Sequence, residues 1–112
     1  MRAEITLGLV KGYGSGHQYH KKEVVSFLME LIQKKETFPW RVVESILVYP
    51  VNGKSIAETA LILSTDKNLR YDEGMSVESW RKVVEKTAEY LKKEFNQERV
   101  YVSFLEVEIK IL

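Results

Sequence analysis

The chain has 112 residues, 45% of them hydrophobic and 29% charged, with a formal net charge of +1 and no cysteine. This composition is typical of one globular domain, and it excludes a disordered or fibrous chain, disulfide bonds, thiolate catalysis and cysteine-ligated metals. A net charge so near zero also gives no general attraction to nucleic acid or to an anionic membrane.

No apolar run approaches the roughly 20 residues that a membrane-spanning helix needs. The segment beginning at Met1 carries an acidic residue early, and it lacks the apolar run and cleavage site of a signal peptide. No internal repeat or low-complexity linker divides the chain. We therefore expect residues 1–112 to form a single cytoplasmic domain without a membrane span.

The first predicted element is a strand over Arg2–Leu9, where apolar and polar residues alternate with period two. It runs into a glycine-rich stretch, Lys11–His20. An amphipathic helix is predicted from about His17 to Lys35, because apolar residues recur there at helical spacing. Ser15 is a plausible N-cap for this helix.

A β-hairpin follows the first helix. Val42–Val51 is rich in β-branched residues, Asn52-Gly53 is a strong signal for a tight turn, and Ile56–Ser64 is the returning strand. A two-residue turn also fixes the register of the two strands. The predicted pairs are Val51 with Lys54, Tyr49 with Ile56, and Leu47 with Glu58.

The second half of the chain begins with a charged segment, Asp66–Met75, predicted to be a solvated loop. Ser76 then caps a second helix, whose buried stripe includes Trp80, and Asn96 marks its end. The last strand is predicted from Arg99 to about Ile111.

The order of elements is therefore β-α-β-β-α-β, the ferredoxin-like arrangement of an α+β sandwich. Connection rules then predict a four-stranded antiparallel sheet of order 4-1-3-2 with both helices on one face. This topology is similar to that of acylphosphatases, PII-like regulators and small dimeric α/β-barrel enzymes. Acylphosphatases bind phosphate at the loop after the first strand, but the arginine that this family places there is missing between Lys11 and His20.

The glycine-rich loop is the first candidate site, because a glycine loop that opens a helix presents unpaired backbone N–H groups and the positive end of the helix dipole. The topology places basic residues of two other connections at the same end of the sheet. The loop lacks the spacing of a dinucleotide or Walker motif, and a flexible connection without a ligand is the alternative interpretation. The candidate ligand-binding residues are Gly14, Ser15, Gly16, His17, Lys54 and Arg99.

The candidate catalytic residues are Glu58, His17 and His20. Glu58 interrupts an otherwise apolar strand in the interior of the predicted sheet, where an isolated carboxylate is costly to bury. It is either a catalytic or ligand-orienting group in a pocket, or a charge that discourages unwanted strand pairing. The two histidines can act as acids or bases near neutral pH. The sequence has no third metal ligand beside them, so a metal site is not predicted. Any cofactor stays unknown from the sequence.

Two helices cover only one face of the sheet, yet the hairpin and the last strand are apolar on both faces. We therefore expect a homo-oligomer formed through the open sheet face or through edge strands. RNA binding is not favoured, because the first strand lacks the exposed aromatic residues of a single-stranded-RNA platform. Three functions stay open: a regulatory domain that binds a small anion such as phosphate, a nucleotide or a carboxylate; a small dimeric α/β-barrel-type enzyme using Glu58 or a loop histidine; and a protein-protein interaction module.

Overall fold

In a computed structural model of the chain, the described residues are 1–10 and 18–112, and in these residues four strands and three helices are assigned. The strands are β1 (Arg2–Gly8), β2 (Arg41–Val51), β3 (Lys54–Asp66) and β4 (Tyr101–Leu105). The helices are α1 (Lys21–Gln33), α2 (Leu69–Asp72) and α3 (Val77–Glu94). None of these helices has both the length and the apolar character needed to cross a membrane.

The strands form one antiparallel sheet in the order β2-β3-β1-β4, which is the predicted 4-1-3-2 read from the other edge. The predicted α+β class and the antiparallel sheet are thus confirmed. The hairpin register is confirmed as well, with Leu47 opposite Glu58 and Tyr49 opposite Ile56. Asn52 and Gly53 have φ angles of 51° and 78°, as a type I′ turn requires at its two central positions.

The core lies between the sheet and the two long helices, which both pack on the same face. Ile5 and Leu7 of β1 point toward this face, as do Leu61 and Leu63 of β3, and all four are fully buried. Trp80 of α3 lies at the centre, with ring centroids 6.4 Å from Phe38 and 6.0 Å from Phe104. The alternate residues of β1 and β3 are therefore left on the open face of the sheet.

The ends of α3 follow from local hydrogen bonding. The Ser76 side chain accepts a bond from the backbone N–H of Ser79 at 3.1 Å, which confirms the predicted N-cap. At the other end Asn96 adopts a φ of 49°, and the backbone N–H of Gln97 bonds to the carbonyl of Lys92 at 3.0 Å. This is a Schellman ending, and it turns the chain back across the end of the sheet at Gln97.

The last strand is shorter than predicted, ending at Leu105 instead of near Ile111. The reason is the register: Leu105 pairs with Arg2, so β1 offers almost no backbone beyond that point. Residues 106–112 leave the sheet, and the Ile111 side chain is 79% exposed. The apolar residues that follow Leu105 in the predicted strand therefore lie outside the sheet.

The segment Asp66–Met75 is not simply a solvated loop, because it contains α2 and a buried carboxylate. Asp72 is 2% exposed; its Oδ1 accepts the N–H of Gly74 at 3.0 Å, and its Oδ2 lies 3.3 Å from Nζ of Lys67. Both partners are within five positions of Asp72 in the sequence. The carboxylate thus stabilises the loop that contains it, whereas the composition of the segment predicts a solvated loop.

The first helix begins later than predicted, at Lys21. His20 is its N-cap residue and makes no side-chain capping bond. The predicted cap, Ser15, lies outside the described residues.

Candidate functional site

A cleft of about 310 Å³ opens on the sheet face that the helices do not cover. Its base is formed by β1, one side by the β2–β3 hairpin, and the other side by β4 and the connection that precedes it. The lining residues are Thr6, Gly8, Val10, Leu47, Val48, Tyr49, Glu58, Gln97, Glu98, Arg99 and Tyr101.

Strand alternation explains which side chains reach the cleft. Ile5 and Leu7 point into the core, so Thr6 and Gly8 point the other way. Gly8 pairs with Ala60, and two positions along β3 on the same face lies Glu58. Thr6 pairs with Tyr101 of β4, which places this ring across β1 from the hairpin.

The base of the cleft is closed over Gly8 by two polar side chains. A Cβ atom added to Gly8 would lie 2.9 Å from Oε1 of Gln97 and 3.6 Å from Oε1 of Glu58. Gln97 lies just after the end of α3, and Glu58 lies on β3, the strand beside β1. Two acceptor oxygens from distant parts of the sequence therefore converge on one point above β1.

The charge of the cleft favours a ligand that is not a simple anion. Its lining includes the carboxylates of Glu58 and Glu98 and the guanidinium of Arg99, so the formal balance is one negative charge. Glu58 is half-buried, whereas Arg99 is exposed at the rim. Tyr49 and Tyr101 add aromatic surface, which suits a planar base or a cationic group.

The structure brings two of the predicted site residues together, because Glu58 and Arg99 both line the cleft. Lys54 is not a lining residue. It lies at the hairpin tip, six residues along β3 from Ala60, the partner of Gly8. At about 3.3 Å per residue this separation is roughly 20 Å.

The remaining predicted site residues lie in or beside the glycine-rich stretch. Gly14, Ser15, Gly16 and His17 lie outside the described residues. His20 is exposed at the start of α1 and does not line the cleft. Within residues 1–10 and 18–112, no three His, Asp or Glu side chains are grouped as metal ligands.

Sequence reasoning missed Gly8, Gln97 and Tyr101 as cleft residues. Gly8 carried a usable signal, because a glycine inside a strand often marks a close approach by another group. Tyr101 carried no signal beyond being an aromatic residue on the predicted last strand. Gln97 had no signal of its own, because its position depends on the Schellman ending of α3.

Comparisons with known proteins identify a shared fold. No protein-family model and no curated protein matches the chain. Among solved structures, a phage SAM lyase in its apo state matches with a TM-score of 0.73 and 24% identity, over 90% of this chain and 75% of that chain. A phage SAM lyase in complex with S-methyl-5'-thioadenosine matches with a TM-score of 0.65 and 21% identity, over 90% of this chain and 76% of that chain. At this identity the likeness establishes the fold alone.

Proposed function

We propose that the sheet-face cleft binds SAM (S-adenosylmethionine) and that the chain cleaves it as a lyase, releasing S-methyl-5'-thioadenosine. The observation that carries this proposal is the half-buried carboxylate of Glu58, which lines a cleft of about 310 Å³ beside aromatic side chains. This volume is at the lower end of small-molecule sites, which span about 300–1,000 Å³. The fold shared with the phage enzymes supports the same ligand class.

The chemistry of the cleft suits an adenosine sulfonium better than phosphate. SAM carries a sulfonium and an ammonium against one carboxylate, so its net charge is positive, opposite to that of the cleft lining. Sulfonium ions are attracted to carboxylates and to aromatic faces, and both groups line this cleft. The ribose and adenine supply hydrogen-bond donors for the acceptor oxygens above Gly8.

The proposed reaction is the cleavage of a carbon–sulfur bond of SAM. S-methyl-5'-thioadenosine is released when the bond between sulfur and the Cγ carbon of the amino-acid chain is cleaved and sulfur keeps the electron pair. As this bond breaks, either the substrate's own carboxylate oxygen attacks Cγ and forms a lactone, or a base removes a proton from Cβ while the C–H electron pair forms a Cβ=Cγ double bond. Glu58 is the side chain proposed to orient the substrate or to take that proton.

The test combines turnover with ligand-dependent stability. Incubation with SAM should yield S-methyl-5'-thioadenosine, measured by liquid chromatography and mass spectrometry. Either adenosine compound at 100-fold its Kd should stabilise the fold by about 2.7 kcal/mol, which for a domain of this size raises Tm on the order of 10 °C. The proposal would be contradicted if no product forms and neither compound shifts Tm.

The anion site predicted at Gly14, Ser15, Gly16 and His17 is a separate proposal of a regulatory role, and the same stability measurement includes its probes. Phosphate and acetate should raise Tm if that site exists, and the variants Gly14→Val and His17→Ala should remove the effect. A shift with phosphate but none with SAM would favour the regulatory anion site over the lyase. We also propose, from the sequence, that the domain is ferredoxin-like and that the protein is cytoplasmic.

We also propose that the chain is a homo-oligomer, and the observation that favours this is the uncovered hairpin. Ile46 and Val48 lie on the edge strand β2 and are 69% and 70% exposed. Exposed apolar surface of this kind marks association more often than solvent contact. Ile46→Glu should therefore convert the oligomer to a monomer in size-exclusion chromatography with light scattering, whereas Met29→Glu, which is on an exposed helix face, should not. A wild-type chain that is monomeric at all concentrations would contradict this proposal.

A further inference from the structure

Gln97 is fixed from both of its ends. Its backbone N–H donates to the carbonyl of Lys92 at 3.0 Å as part of the α3 ending. Its side-chain Nε2 donates to two carbonyl oxygens, those of Val10 and Phe95, each at 2.9 Å. The side chain thus joins the end of α3 to the chain that follows β1.

These contacts determine which way the amide points. Both partners are backbone carbonyls, which only accept hydrogen bonds, so the NH₂ group must face them and the oxygen must face the other way. Oε1 therefore points toward Gly8 in the base of the cleft.

Gly8 makes room for this oxygen. Its φ is outside the left-handed region, so its backbone conformation does not require glycine. The obstacle to a side chain is space, because a Cβ would lie 2.9 Å from Oε1 of Gln97, closer than real Cβ contacts come. Oε1 of Glu58 lies 3.6 Å from the same point, so the two acceptors are neighbours above β1.

We propose that Gln97 is a positioning residue whose Oε1 accepts a hydrogen bond from a ribose hydroxyl of the bound adenosine compound. This inference rests on the proposed function, since it assigns an orientation to the ligand of that cleft. Two neighbouring acceptors match a ligand with two neighbouring donors, and the adjacent hydroxyls of a ribose are such a pair. The amide is held before the ligand arrives, so it loses little side-chain freedom on binding.

The experiment is a cycle of variants measured with two ligands by isothermal titration calorimetry. The proteins are the wild type, Gly8→Ala, Gln97→Ala, the double variant, and Gln33→Ala as a control at an exposed glutamine. The ligands are S-methyl-5'-thioadenosine and its 2',3'-dideoxy analogue. Thermal unfolding of each protein without ligand is measured alongside.

Gly8→Ala and Gln97→Ala should each weaken S-methyl-5'-thioadenosine binding about ten-fold, the size of one hydrogen bond. The double variant should bind no more weakly than Gln97→Ala, because the added methyl group then has no oxygen to displace. Gln97→Ala should leave the affinity for the dideoxy analogue unchanged, which a purely structural role would not predict. Without ligand, Gly8→Ala should lower Tm in the wild-type background but not in the Gln97→Ala background.

The possible failures are distinguishable. A wild-type chain that binds neither ligand overturns the proposed function and this inference with it. A wild-type chain that binds, combined with equal losses for both ligands on Gln97→Ala, overturns the inference alone. The inference would also be overturned if the two substitutions act independently. In that case the double variant would show the product of the two losses of affinity and the sum of the two decreases in Tm.

Discussion

Replacing Glu58 by alanine is expected to lower the rate of S-methyl-5'-thioadenosine formation from SAM about 100-fold, the loss typical of a positioned carboxylate. Glu58 is half-buried in the cleft, and its Oε1 lies beside Gly8 in the base. Its two carboxylate oxygens can accept hydrogen bonds from a ligand that enters the cleft. The measurement is kcat/KM from initial rates, with product quantified by mass spectrometry.

Glu58→Gln assigns the role of the carboxylate. The amide still accepts a hydrogen bond but cannot take a proton, so a loss equal to that of alanine would identify a base, and a smaller loss would identify an orienting group. Glu106→Gln, which replaces a carboxylate beyond the end of β4, is the matched control and should retain the wild-type rate. A Glu58→Ala variant within three-fold of wild type would contradict the assignment of this cleft as the site.

Replacing Trp80 by alanine is expected to destabilise the fold by about 3–5 kcal/mol, the range for removing a large aromatic side chain from a core. Trp80 is fully buried and packs between the rings of Phe38 and Phe104. It therefore joins the connection after α1 to β4, and its loss leaves a cavity between the helices and the sheet. Urea denaturation followed by circular dichroism gives the free energy of unfolding.

Trp80→Phe should recover part of this loss, because a smaller ring still fills some of the cavity. Tyr71→Ala provides a comparison, since this ring is 51% exposed. Its cost should stay within about 0.5 kcal/mol, as for most surface substitutions. Equal costs for Trp80→Ala and Tyr71→Ala would show that Trp80 does not occupy the centre of the core.

Much of the fold was predictable because its local signals agree with one another. Asn52-Gly53 sets a two-residue turn, and that turn alone fixes the pairing of Leu47 with Glu58. Ser76 and Asn96 mark the two ends of α3 through capping bonds that need no distant partner. Alternation along β1 assigns its two faces, so both the core and the open face follow.

The candidate site was predictable only in part, because half of it depends on long-range geometry. Glu58 was singled out because a carboxylate in an apolar strand is exceptional, and Arg99 because the connection after α3 lies at the same end of the predicted sheet as the glycine-rich loop. Lys54 was grouped with Arg99 from topology alone, without allowing for the length by which the hairpin extends past β1. The predicted end of the last strand was wrong for a similar reason: residues 106–112 have the composition of a strand, but β1 supplies no partner for them.

The pairing of β1 with β4 determines when the cleft can exist during synthesis. Arg2 pairs with Leu105, so the base of the cleft and one of its sides are joined by contacts between residues far apart in the sequence. Contacts so remote in sequence form slowly, because a long loop must close before they are made. The hairpin is formed by contacts between residues close in sequence, whereas Arg99 and Tyr101 follow α3 and meet β1 only across most of the described chain. The complete cleft can therefore form only after translation has passed β4.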